Sequence, residues 1–173
     1  MPLPPTADPA PYPEIAVCGQ DCRYVELLSK SFASRRGELT AITRYCYQSW
    51  MLQKTTPELS HLLIRIAMVE MKHLDILGQL ILLLGGEPRY YVPSPPGCVP
   101  WNGGMVDYTS RSLAQMLRNN IEAERFSCRT YRVHAGQIRD KKVSAMLRRL
   151  ALDEQLHIRL FEDALSAFCL PPS

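Results

Sequence analysis

No stretch of the sequence approaches the roughly 18 uninterrupted apolar residues of a membrane-spanning helix. The densest run, Leu77 to Leu84, is short and stops at Gly85-Gly86. An excess of one charge is also missing: 20 Lys+Arg against 17 Asp+Glu leave a net charge of +3, too little to call for a nucleic acid or an anionic membrane as partner. The six cysteines, Cys18, Cys22, Cys46, Cys98, Cys128 and Cys169, lack the dense spacing of a small disulfide scaffold. Cys18 and Cys22 form a Cys-x-x-x-Cys with no second pair to answer it, which excludes a zinc ribbon or a rubredoxin-type iron site of four cysteines. The start of the chain has neither the basic residues nor the apolar core of a secretion signal. A cytoplasmic protein with reduced thiols is the expectation, preceded by a flexible proline-rich arm over residues 1–20.

What the sequence does contain is helical periodicity. At 173 residues, 46% of them hydrophobic, the chain can bury one substantial core, so residues 21–173 are read as one domain. Apolar residues recur at helical spacing from Asp21 to Lys54 with no internal proline. Thr55-Thr56-Pro57-Glu58 is a start signal for a second helix, which runs to Leu84 and is stopped by glycine. A connection over residues 87–108, holding Pro88, Pro93, Pro95, Pro96 and Pro100, is too broken for regular structure. A third helix begins near Thr109 or Ser110 and reaches His134 or Gly136, and a fourth, with Asp140 as its cap, reaches Phe168. The reading is all-α: a four-helix bundle of two antiparallel helix pairs joined by a long crossover, the connectivity of ferritin-like bundles.

Polar residues then appear on the inward rows. The second helix carries Glu70-x-x-His73 and the fourth Glu154-x-x-His157, each pair three residues apart on one helix face. Around them the rows are apolar: Leu59, Leu63, Ile66 and Leu77 in one helix; Leu147, Leu150, Phe161 and Leu165 in the other. The first helix places Glu38 in line with Ile42 and Tyr45, and the third places Glu124 in line with Leu117, Ile121, Cys128 and Tyr131. Glu122 instead shares a face with Arg118 and Arg129 and is read as solvated. Each lone Glu precedes a Tyr by seven residues and a Glu-x-x-His by about thirty, so the two halves echo each other. Four buried carboxylates cost several kcal/mol per unpaired ion. Two divalent cations would balance them, and an oxygen and nitrogen donor set suits iron or manganese. The metal ligands are therefore read as Glu38, Glu70, His73, Glu124, Glu154 and His157.

The segments Gly37-Glu38-Leu39-Thr40-Ala41-Ile42, Val69-Glu70-Met71-Lys72-His73-Leu74, Ile121-Glu122-Ala123-Glu124 and Leu152-Asp153-Glu154-Gln155-Leu156-His157 resemble the ferritin-like di-metal carboxylate proteins, nearest the rubrerythrin and manganese-catalase-like branch. The resemblance covers Tyr24 to Phe168 and implies that the family's ligands fall on the same six residues, with Glu70 or Glu154 bridging the metals. It further implies an oxidoreductase acting on hydrogen peroxide or dioxygen, of the peroxidase, catalase or oxidase kind, with a role in oxidative stress. Alternatives in the same superfamily are a metal storage or sequestration protein and a coat-type structural protein. Without a rubredoxin module, peroxidase turnover calls for a separate electron-donor protein.

Tyr45 and Tyr131 can bond ligands from behind or simply pack in the core. Asp153 and Asp75 could orient a histidine of the opposite helix, although a solvated charge is the simpler reading. His61 and His134 are read as surface or packing residues, and the arginines of the last two helices, Arg149 among them, as solvated faces. The apolar connection from Tyr90 to Tyr108 suggests packing against the bundle or a second subunit, so a homodimer is expected, with no nucleic acid and no membrane as partner.

Overall fold

The computed structural model describes residues 4–94, 96–110 and 112–169. Among the described residues there are five α-helices: α1 (Cys22–Ala33), α2 (Glu38–Leu52), α3 (Pro57–Leu83), α4 (Leu113–Gln137) and α5 (Lys141–Cys169). The first two stand where one continuous helix was expected. α1 opens on Asp21, whose side chain accepts from the Arg23 amide, and closes at Ser34. There the Ser34 hydroxyl accepts from the Arg36 amide at 3.2 Å, and the Thr40 hydroxyl donates to the Ser34 carbonyl at 2.7 Å. These side-chain bonds offer the backbone a non-helical arrangement, which helical periodicity does not register. Gly37 allows the chain to fold back: a Cβ there would lie 2.5 Å from the Ser31 carbonyl oxygen. The break puts Glu38 in the first turn of α2, where the helix dipole favours a carboxylate.

α3 begins, as read, with Thr56 and Pro57, and ends at Gly85 in the left-handed region at φ +89. α2 packs along α3 and α4 along α5, giving the two antiparallel pairs of a ferritin-like four-helix bundle in which the first helix is divided. The crossover holds more regular structure than expected. β1 (Tyr91–Ser94) and β2 (Gly97–Pro100) form an antiparallel hairpin, and Gly103–Met105 make a 3-10 turn. Trp101 ties this segment to the bundle by donating from Nε1 to Thr40 Oγ1 at 2.9 Å. α4 starts a few residues later than the sequence suggested, because Asp107 takes the Thr109 amide and both the Thr109 and Ser110 hydroxyls; Ser112 then caps the helix through the Gln115 amide. Asp140 caps α5 as read, accepting from the Lys142 and Val143 amides.

The core divides in two. One apolar cluster contains Leu28, Phe32, Leu77, Leu80, Tyr131, Leu147 and Leu150, and the other Tyr45, Leu63, Ile66, Leu117, Ile121 and Phe161. In α3, α4 and α5 the residues between the clusters are Glu70 and His73, Glu124, and Glu154 and His157, so a polar layer lies across the bundle. Phe168, where the fourth helix was expected to end, is 44% exposed. Among the described residues no helix is long and apolar enough to cross a membrane, and the described cysteines Cys18, Cys22, Cys46, Cys98 and Cys128 are free.

Candidate metal centre

Four helices bring the six expected residues together, and all are buried: Glu38 3% exposed, Glu124 2%, Glu154 1%, and Glu70, His73 and His157 0%. They form two groups, Glu38 with Glu70, His73 and Glu154, and Glu70 with Glu124, Glu154 and His157, each with one donor atom per residue within 4.8 Å of the others. Glu70 and Glu154 belong to both. The His73 Nδ1 atom is 2.9 Å from Glu70 Oε2 and 3.1 Å from Glu154 Oε1; His157 Nδ1 is 2.8 Å from Glu70 Oε1 and 3.5 Å from Glu124 Oε2. Both Glu70 oxygens, Glu154 Oε1, His73 Nδ1 and His157 Nδ1 make no well-formed hydrogen bond and face only one another as close ionic contacts. Buried polar atoms are seldom left so, and five of them converging on one layer mark a place for cations.

The outward ring nitrogens fix which atoms face inward. His157 Nε2 lies 2.9 Å from the Thr6 carbonyl oxygen and His73 Nε2 lies 3.0 Å from Asp153 Oδ2. A carbonyl and a carboxylate only accept, so each Nε2 carries a hydrogen, and each Nδ1, once it gives up its own proton, has a lone pair to offer the layer. Tyr131 donates to Glu38 Oε1 and Tyr45 to Glu124 Oε1, and Arg44 donates to the Tyr45 hydroxyl at 3.0 Å. The tyrosines thus do both things open to them: they fill the core and hold the two carboxylates that belong to one group each.

Electrostatics without metal show how the layer balances itself. Burial, then the Glu70 charge, holds the Glu38 carboxyl well above the ordinary carboxylate range, and burial with Glu70 and Glu124 does the same for Glu154. Burial alone would raise Glu70 too, but the His157 and His73 charges bring it below its ordinary value. The two imidazoles, which burial alone would lower, are raised well above theirs chiefly by Glu70. Protons therefore occupy the layer in the role that cations would take. Two divalent ions would replace them, and a donor set of four carboxylates and two imidazoles fits iron or manganese.

Behind the layer stands a group the sequence reading assigned to solvent. Asp153 is 0% and Arg149 4% exposed, and they pair at 2.9 Å. The segment from Thr6 to Ala10, which contains no helix or strand, supplies the rest: the Asp8 amide donates to Asp153 Oδ1 at 2.7 Å, and Arg149 donates to the Ala10 and Asp8 carbonyls at 2.7 and 2.8 Å. Tyr12 donates to Asp153 Oδ2 at 2.6 Å, and its ring lies under Arg149 and Lys72. Burial and the bond to Asp153 push the Tyr12 hydroxyl up to about 12. The available signal was position: Asp153 precedes the buried Glu154, and Arg149 stands four residues earlier beside Leu150 and Ala151. Asp75, by contrast, is exposed and bonds only Gln79. His61 is exposed, His134 half-buried and Glu122 exposed, as read.

The sequence matches the family model for Rubrerythrin over residues 26–165. A probable manganese catalase of Clostridium acetobutylicum is 26% identical over an alignment of 171 residues, covering 88% of this chain and 75% of that protein. The solved structure of a manganese catalase from Anabaena superposes with a TM-score of 0.81 at 22% identity, covering 96% of this chain and 85% of that one. The bacterioferritin of Desulfovibrio desulfuricans, solved with its diiron site, gives 0.66 at 24% identity, over 84% and 79%. These structural likenesses establish the shared bundle.

Proposed function

We propose, from the premise that this chain belongs to the rubrerythrin family, that it is a di-metal oxidoreductase acting on hydrogen peroxide or dioxygen. Its ligands are Glu38, Glu70, His73, Glu124, Glu154 and His157, holding two iron or two manganese ions. The observation that carries this reading is the membership of Glu70 and Glu154 in both ligand groups while both Glu70 oxygens, Glu154 Oε1 and both inward imidazole nitrogens make no well-formed hydrogen bond. Carboxylates common to two sites are what a pair of adjacent ions requires.

Such a metal pair, when bound, supplies two-electron redox chemistry. The residues of the chain do the rest. Tyr131 and Tyr45 each occupy one oxygen of Glu38 and Glu124 and leave the other to face the layer. Asp153 and the Thr6 carbonyl hold both imidazoles in the tautomer that presents Nδ1. The two apolar clusters keep bulk water from either side. The relatives called manganese catalases favour peroxide, two molecules of which give two of water and one of dioxygen without an outside reductant. Peroxidase turnover would instead draw electrons from a separate donor protein. The reading includes a cytoplasmic setting, a part in oxidative-stress defence and a homodimer, for which the exposed Trp50, Met51, Met68 and Met71 offer apolar surface.

The test is elemental analysis of protein purified without added metal, followed by peroxide-decay and oxygen-release assays on the same sample. About two metals per chain and oxygen release that stops on Glu70→Ala are expected. Protein holding less than one metal per chain, and taking up neither added iron nor manganese, ends the reading. Light scattering that shows a large hollow shell would move the function to metal storage.

A further inference from the structure

We infer that the cleft between α1, the α1–α2 turn and α4 is a binding pocket for a small organic acid, a monocarboxylate with an apolar ring or chain. It rests on the proposed function only in placing that ligand beside a metal-binding carboxylate. The cavity measures about 390 Å³, and Glu38 and Tyr131 line it together with Lys30, Ser31, Arg36 and Phe126. Its size is the first argument. A water molecule takes up about 30 Å³ of liquid and peroxide roughly twice that, whereas sites for organic ligands begin near roughly 300 Å³. Peroxide and dioxygen therefore leave most of this space unaccounted for.

Chemistry of the walls narrows the ligand. Phe126, Val92 and the Tyr131 ring offer apolar surface for its body. Lys30 and Arg36 bring positive charge; the single acidic residue of the lining, Glu38, has its Oε1 taken by the Tyr131 hydroxyl. Lys30 shares its charge with Glu26 at 3.0 Å across an exposed pair, while the Arg36 guanidinium sits 4.5 Å over the Phe126 ring. That ring leaves the planar donors of Arg36 free to grip a carboxylate, the geometry in which arginine exceeds lysine. An independent sign is Ser31: it lines the cavity, is 8% exposed, and its buried hydroxyl has no hydrogen-bond partner. The His134 Nδ1 atom, in the same wall, is likewise without one. A buried hydroxyl and an imidazole nitrogen awaiting partners beside two cations and an aromatic wall make a site for an anion with an apolar tail.

The experiment is isothermal titration of metal-loaded protein with benzoate and hexanoate, against acetate and benzyl alcohol. Saturable binding of benzoate or hexanoate is expected, about tenfold tighter than that of acetate or benzyl alcohol, with Arg36→Gln weakening it about tenfold and Val92→Trp, which fills the cavity, abolishing it. Equal binding of the alcohol and the acid, no binding of either acid, or binding indifferent to both variants overturns the inference. Metal content and peroxide decay are read on the same samples. Metal-bearing, peroxide-consuming protein that ignores carboxylates refutes the pocket alone; carboxylate binding by protein that takes up no metal refutes the proposed function alone.

Discussion

Replacing Asp153 by Asn tests whether the buried group behind the layer holds the histidines proposed to bind metal. Asp153 Oδ2 accepts from two donors, His73 Nε2 at 3.0 Å and the Tyr12 hydroxyl at 2.6 Å, and lies 2.9 Å from the Arg149 Nη1 charge, while Oδ1 receives the Asp8 amide at 2.7 Å. An amide has one acceptor oxygen. It would keep that oxygen toward His73, Tyr12 and the Arg149 charge and turn its own N–H groups against the Asp8 amide, so one bond is lost and replaced by two opposed donors. The larger loss is charge. Arg149, 4% exposed, would stay buried without its counter-ion, a change that costs about 3–5 kcal/mol. The Ala10 and Asp8 carbonyls still solvate the guanidinium, which puts the expected cost at the lower end, about 3 kcal/mol. For a chain of this length that lowers the melting temperature by about 6–12 °C.

His73 would also face a neutral partner in place of a carboxylate, and losing such an outer partner weakens metal affinity about 10–100-fold, or about 1.4–2.7 kcal/mol. Thermal unfolding of metal-free protein reads the first effect, and competitive titration with Mn²⁺ and Fe²⁺ reads the second. Tyr12→Phe is the calibration: it removes one donor and no charge, so about 1–2 kcal/mol of stability is lost and the metal affinity falls less than in Asp153→Asn. An Asp153→Asn protein that melts within 2 °C of the wild type and binds both metals unchanged would refute the argument that this carboxylate fixes His73.

Tyr131→Phe leaves Glu38 Oε1 without its donor, and metal affinity should fall about tenfold with little change in melting temperature; an unaltered titration curve would count against a positioning role. Gly37→Ala pushes a methyl to within 2.5 Å of the Ser31 carbonyl oxygen and 2.8 Å of the Ser34 nitrogen. The turn must shift, at a cost of about 1–3 kcal/mol in denaturant titration, and a neutral result would show that the α1–α2 break yields easily. Metal loading should release protons, because Glu38, Glu154, His73 and His157 all hold theirs above ordinary values without metal. Apparent affinity therefore drops as pH falls, and titration in weakly buffered solution with an indicator dye showing no net release at pH 7 would contradict the protonated layer. Asp107 is held down at about 2, against burial, by its bonds to Thr109, Ser110 and Asn119. Its contribution is present above the ordinary 3.8 and lost as pH falls through about 2, so the melting difference between wild type and Asp107→Asn should shrink from pH 5 to pH 2.

The proposed ligands stood out in the sequence because charge on an inward row has no cheap explanation. Glu70, His73, Glu154 and His157 interrupt rows of Leu, Ile and Phe, and burial of unpaired carboxylates demands cations whatever the surrounding detail. The α1–α2 break carried no such mark. It has no proline, and what ends α1 is a competition for backbone bonds by Ser34 and Thr40 and a close approach at Gly37, which emerge only once the chain has turned. Asp153 and Arg149 were misread for a different reason. Four residues apart on a helix, they look like one more solvated pair, and nothing in helical periodicity points to what covers them. The cover is the proline-rich segment near the N-terminus, whose composition says only that it is neither helix nor strand. Yet that composition suits the task. Proline at Pro9 cannot donate a backbone hydrogen bond, and the chain bends here, with the Ala10 amide donating to Asp8 Oδ1 at 2.9 Å; Asp8 and Ala10 present their carbonyl oxygens together to Arg149 while Thr6 meets His157. A segment without periodicity thus supplies the acceptors that the helices, their own carbonyls engaged in helical bonds, have none left to offer.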